Sequence, residues 1–248
     1  MCNNTLLFQN EFIVRLIVVS AFQIWPIFYA SYFAHKLLNR AKNRSTYTLS
    51  SFFILTALTY FLATLSTFVV GTPLDTFAYI TYVFSIYTLI FSYSFLINFS
   101  WLLIKLDEKT CNTKFFLRAI IYAILSLYVL VLAIPFNGIT LNASTGWTPV
   151  YSWFFLGFSW TYILIFLIIP QIYLSLKIMK IYEGIVLKRR LNLFLISVFL
   201  GLLIPTFVFL YHAMPENVIF RTFYLLTMPE IGVYAAYLIY KGFGKELD

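Results

Sequence analysis

LSSFFILTALTYFLATLSTFVV, residues 49–70, runs for 22 residues without a charge. A helix needs about 20 apolar residues to cross the hydrocarbon core of a bilayer, so this stretch is read as one crossing. Six further apolar stretches lie on either side of it, at roughly 12–38, 75–105, 115–135, 149–179, 191–211 and 218–240. The composition agrees: 62% of the residues are hydrophobic and 10% charged, against about 45–50% and about 25% in soluble domains. Too few polar residues remain to clothe a soluble core of this size. The chain is therefore expected to be an all-α membrane protein, a single seven-transmembrane-helix domain over 1–248.

The charges orient it. Lys36, Arg40, Lys42 and Arg44 flank the first loop, and Lys105, Lys109, Lys114 and Arg118 the third. Lys177, Lys180, Lys188, Arg189 and Arg190 flank the fifth, and Lys241 and Lys245 follow the last span. Of 17 basic residues, 15 fall on one side, leaving Arg15 and Arg221 for the other. The positive-inside rule then places the N-terminus outside and the C-terminus in the cytoplasm. Basic loops beside anionic lipid account for the net charge of +8 without nucleic acid. The opening residues, MCNNTLLFQNEF, lack a basic n-region, so the first span is expected to remain in the mature protein. Cys2 and Cys111 fall on opposite sides and are expected not to pair.

Pro26, Pro170, Pro205 and Pro229 lie inside spans 1, 5, 6 and 7. Each removes one backbone hydrogen bond and bends its helix. In lipid, the freed carbonyl has to find a partner in a neighbouring helix, a side chain or water. Spans 1 and 5 also share a pattern, Pro-x-x-Tyr-x-Ser-x-x-x-x-Lys, as PIFYASYFAHK (26–36) and PQIYLSLKIMK (170–180). An offset of four helices leaves both copies running in the same direction. The expectation is a parallel 3+1+3 repeat with span 4 as connector, a construction many transporters use. The uncharged connection FNGITLNASTGWTPVYSW (136–153) reads in two ways. Trp147, Tyr151 and Trp153 either anchor the bundle at the membrane interface, or the connection closes over a pocket.

Enzyme chemistry is not expected. His35 and His212 lie at opposite ends of their spans, and no metal-ligand cluster, nucleophile motif or phosphate loop occurs. No metal or cofactor is expected, and a retinal Schiff base is excluded because Lys241 sits only at the end of span 7. Within LLTMPEIGVY (225–234), however, Glu230 follows a proline in mid-span. Thr227, Glu230, Tyr234, Tyr237 and Lys241 fall at helical offsets −3, 0, +4, +7 and +11, which is one face. A central charge facing lipid costs roughly 2.5–3.5 kcal/mol. Glu230 is accordingly expected to face the interior, with Gln23 and Gln171 as partners, in a ligand or proton site.

The stretch GITLNASTGWTPVYSW, the P-x-I-Y-x-S-x-K-I of span 5 with its basic loop, and the ending LIYKGFGKEL resemble seven-helix archaeal membrane proteins without an assigned function. That resemblance covers roughly the second half of the chain and implies a prokaryotic cell membrane. In topology the chain also resembles the seven-helix sensor halves of some histidine kinases. The reading favoured is a small-ligand receptor or sensor that signals through a separate cytoplasmic partner. The alternative is a small-solute or proton-coupled transporter.

Overall fold

A computed structural model describes residues 23–39, 43–104, 112–182 and 184–244. Six helices among them are long and apolar enough to cross a membrane, which makes this a multi-pass helical membrane protein. Of the first expected span, helix α1 (Trp25–Leu38) is seen; its lead at 12–22, with Cys2, Arg15 and Cys111, lies outside the described residues. Helices α2 (Arg44–Val69) and α3 (Asp75–Ile104) follow. Helices α4 (Asn112–Ser126) and α5 (Tyr128–Ala133) together make span 4. Span 5 is α6 (Trp153–Tyr162), a π-helical stretch (Ile163–Ile168) and α7 (Ile169–Ile181). Helices α8 (Ile185–Ala213) and α9 (Val218–Ile239) are spans 6 and 7.

Polar side chains set where several helices begin. Asn43, Ser152 and Asn217 each accept a hydrogen bond from the backbone N–H three residues on, at 2.8, 3.1 and 3.0 Å. Such caps satisfy donors that the first helical turn would otherwise leave bare.

Helix α3 is the centre of the bundle. It packs against α2, α4, α5, α7 and α8, and 72% of its most apolar window is buried, against 17% for span 4. Its inward residues are small and weakly polar. The hydroxyls of Ser85, Thr88, Ser92 and Ser94 donate to carbonyls three residues back in the same helix, at 2.6–2.9 Å. Satisfied in this way, they let neighbouring backbones approach closely, the usual means of helix association in lipid. Around α3, span 4 meets span 5, span 5 meets span 6, span 6 meets span 7, span 7 meets α1, and α1 meets α2.

Tyrosines from neighbouring helices bond backbone carbonyls ahead of two of the mid-span prolines. Pro205 cannot donate to the Gly201 carbonyl four residues back, and the Tyr93 hydroxyl of α3 donates to it at 2.6 Å. Ahead of Pro170, the Tyr122 hydroxyl of α4 donates to the Phe166 carbonyl at 3.2 Å. The π-helical stretch ends at Ile168, two residues before Pro170; Ile169 N–H reaches back to Leu164, so the helix is widened on the approach to the proline.

The Tyr93–Pro205 arrangement can be tested as a cycle. Tyr93→Phe strands a buried carbonyl and is expected to cost about 1–3 kcal/mol. In a Pro205→Ala background the helix supplies its own N–H, and the same change is expected to cost less than half as much. Equal losses in both backgrounds, measured by unfolding in detergent, would separate the tyrosine from the kink.

Candidate functional site: a tyrosine-lined cavity between spans 1, 2, 3, 6 and 7

The antiparallel succession of helices gathers the turns after α2, α5 and α8 at one end of the bundle. At that end the 136–153 connection folds into a small hairpin. Strand β1 (Ile139–Thr140) pairs antiparallel with β2 (Val150–Tyr151), in the register Ile139↔Tyr151 and Thr140↔Val150. Asn142 and Thr145 cap each other's backbone across the turn. Gly146 then takes φ +59°, a left-handed conformation natural to glycine. Gly138 has no room for a side chain, because a Cβ there would lie 2.7 Å from the Leu132 carbonyl.

His212, at the end of α8, pins this hairpin to the helices. Its Nδ1 lies 3.0 Å from the Pro149 carbonyl. A carbonyl can only accept, so Nδ1 carries the proton, and in the neutral ring Nε2 is left as an acceptor. The ring packs against Tyr82, Tyr151 and Tyr211. Tyr82 and Tyr151 share a hydrogen bond of 2.7 Å between their hydroxyls.

Beneath the hairpin lies a cavity of about 310 Å³, at the small end of the range for ligand pockets. Leu141, Thr148 and Pro149 of the hairpin line it at one end, and Tyr29, Pro229 and Gly232 lie farther along. Tyr60, Tyr82, Tyr211 and Tyr224 form much of its wall. The hydroxyls of Tyr29, Tyr60 and Tyr224 make no hydrogen bond to any described residue. Arg221, from the first turn of α9, also lines the space. Its guanidinium donates to the Pro215 carbonyl at 3.0 Å and the Tyr211 hydroxyl at 3.1 Å, and lies 4.8 Å from the centre of the Tyr211 ring. No metal-binding cluster is found among the described residues.

The structure divides the residues singled out by sequence. Gln23, Pro26 and Pro229 line the cavity, and Gln23 accepts a long hydrogen bond from Thr64 at 3.4 Å. Gln171 lies elsewhere, fully buried, where its amide donates to the Ser100 hydroxyl at 3.0 Å. The expectation that Glu230 faces inward with these glutamines is corrected. Glu230 is exposed and makes no hydrogen bond or ion pair with a described residue. Tyr234 and Tyr237 are exposed on the same side, and Thr227 only turns its hydroxyl back to Phe223. The reason lies on the opposite face of α9, where Met228, Gly232, Ala235, Ala236 and Ile239 are buried. Small residues bring α9 close to its neighbours: a Cβ on Gly232 would sit 3.3 Å from Ile204 Cδ1. Close packing of that face turns the polar stripe outward.

Tyr151 is corrected as well. It is 2% exposed and packs among Phe155, Phe209 and His212, whereas Trp153 is 65% exposed. Arg221 and His212 were absent from the sequence-derived site. The available signal was Arg221's position as one of two basic residues on the sparsely charged side. No protein-family model, curated protein or solved structure matches the chain.

His212→Ala removes the tie to Pro149 and is expected to destabilise the protein by about 1–3 kcal/mol. Limited proteolysis should then cut within 141–150 before any helix is lost. A variant as resistant as the wild type would show that the hairpin holds without His212.

Proposed function

We propose that this protein is a small-ligand receptor or sensor in the cell membrane, with the N-terminus outside and a separate cytoplasmic partner reading its state. The observation that carries this reading is the cavity under the hairpin, bordered by five spans and lined in part by the hydroxyls of Tyr29, Tyr60 and Tyr224, which have no hydrogen-bond partner among the described residues. Pro26 and Pro229 are part of its wall, so an occupant touches the bends of spans 1 and 7 directly. A ligand that fits one setting of those bends better than another shifts the helices by that difference in affinity. The Lys and Arg residues at the far ends of the helices, Lys36, Lys180, Lys188 and Lys241 among them, give a partner charged ends to read.

A transporter is the second reading, and one observation favours it. Backbone of π-helical form precedes the matched proline in both span 1, at Gln23–Ile24, and span 5, at Ile163–Ile168. A parallel repeat of spans 1–3 and 5–7 would place such paired breaks about one binding site.

Two measurements test this proposal, the first its orientation and the second receptor against transporter. In a chain with Cys2 and Cys111 replaced, a membrane-impermeant thiol reagent should label Ser144→Cys in intact cells; protection of that site would reverse the orientation. In sealed vesicles, compounds that bind the purified protein should change the distance between spin labels at Lys180→Cys and Lys241→Cys. They should not accumulate inside beyond one equivalent per protein, with or without a proton gradient. Accumulation to many equivalents would make the protein a carrier.

A further inference from the structure

Arg221 lines the cavity as the one permanent charge there among the described residues; no aspartate or glutamate faces it. Of its five N–H donors, two are engaged, by Pro215 and Tyr211. The guanidinium sits in the first turn of α9, at the end of its span and partly buried, so its charge stands in the cavity wall with no carboxylate of a described residue to balance it. Tyr211 supplies a ring face to one side of the cation, which holds its planar fork in place without neutralising it.

The rest of the wall describes the body of the ligand. From Arg221 to Gly232 the cavity follows α9 for about 16 Å, at about 1.5 Å per residue. Its wall there includes Ile86, Leu89, Leu225 and Met228 together with Tyr60 and Tyr224. The far end offers the hydroxyl of Tyr29, again without a described partner.

We infer that the cavity takes a short, linear organic monocarboxylate, its carboxylate on Arg221 beneath the hairpin and its apolar or aryl tail directed toward Tyr29 and Gly232. One guanidinium balances one carboxylate, and its fork matches the two oxygens. A doubly charged phosphate would bring one negative charge more than the described lining meets. This inference rests on the reading of the cavity as a ligand site, but it fails separately from it.

The test uses the full chain in detergent with two compounds of nearly equal shape, 4-phenylbutyrate and its neutral analogue 4-phenylbutanamide, with binding read from ligand-dependent unfolding temperature. The acid should bind about 10-fold or more tightly than the amide, the yield of one charge-assisted hydrogen-bonded contact. Arg221→Gln should bring the acid and the amide to within about twofold of each other, and an unfolding temperature near the wild type's without ligand shows that the variant is folded. Arg221→Lys should restore part of the preference. Ala63→Trp, which fills the cavity from α2, should abolish binding of both compounds. If the amide binds as tightly as the acid, or Arg221→Gln keeps the preference, the anion assignment is overturned and the cavity stands. If neither compound binds, or both still bind to Ala63→Trp, the cavity reading is overturned along with it.

Discussion

A backbone carbonyl inside a bilayer has no water to turn to, and much of this bundle is arranged around that fact. At Pro205 the helix withdraws a donor and Tyr93 of the adjacent helix replaces it on Gly201, and Tyr122 bonds the Phe166 carbonyl just ahead of Pro170. Each kink is thus tied to one neighbour: span 6 can change its bend only by straining or breaking a contact with span 3, and span 5 is held to span 4 in the same way. Pro229 is different. No described side chain donates to the carbonyl it frees, that of Leu225, and Pro229 borders the cavity. The bend in span 7 is left free of such a clamp at the point where a ligand would rest.

The central helix makes the cavity and its walls compatible. Because α3 turns Ser85, Thr88, Ser92 and Ser94 inward, with each hydroxyl satisfied on its own backbone, its neighbours draw close along much of its length. Toward the hairpin end, Tyr82 interrupts this run of small side chains. Its ring reaches out to Tyr151 and His212, and together with Ser85, Ile86 and Leu89 of the same helix it forms part of the cavity wall.

Much of the fold was legible because hydropathy is a property of composition along one line. The expected span 49–70 appears as Arg44–Val69, and 75–105 as Asp75–Ile104. The faces of the helices were less accessible. On span 7 the sequence carries two stripes, a polar one through Glu230 and a small one through Gly232, and periodicity alone assigns the interior to the polar stripe. Packing decides otherwise, because contact distance is set by side-chain size, which a polarity scale does not record. Arg221 escaped for a related reason. It reads as an ordinary interfacial charge until the hairpin, which is distant in sequence from α9, is seen folded over the same space.

The outward acid of span 7 bears on how the protein is made. That helix has a mean hydropathy of 1.2 over its most apolar window, against 2.7 for span 6, and it carries a carboxylate near its midpoint. Alone at the translocon it is the weakest candidate for insertion among the six described spans. A turn of only four residues, 214–217, joins it to span 6, the most apolar of them, and the two are packed along their lengths. Membrane insertion of span 7 is therefore best served by a paired hairpin, with span 6 carrying it across, so the order of biogenesis is written into the contrast between these two helices.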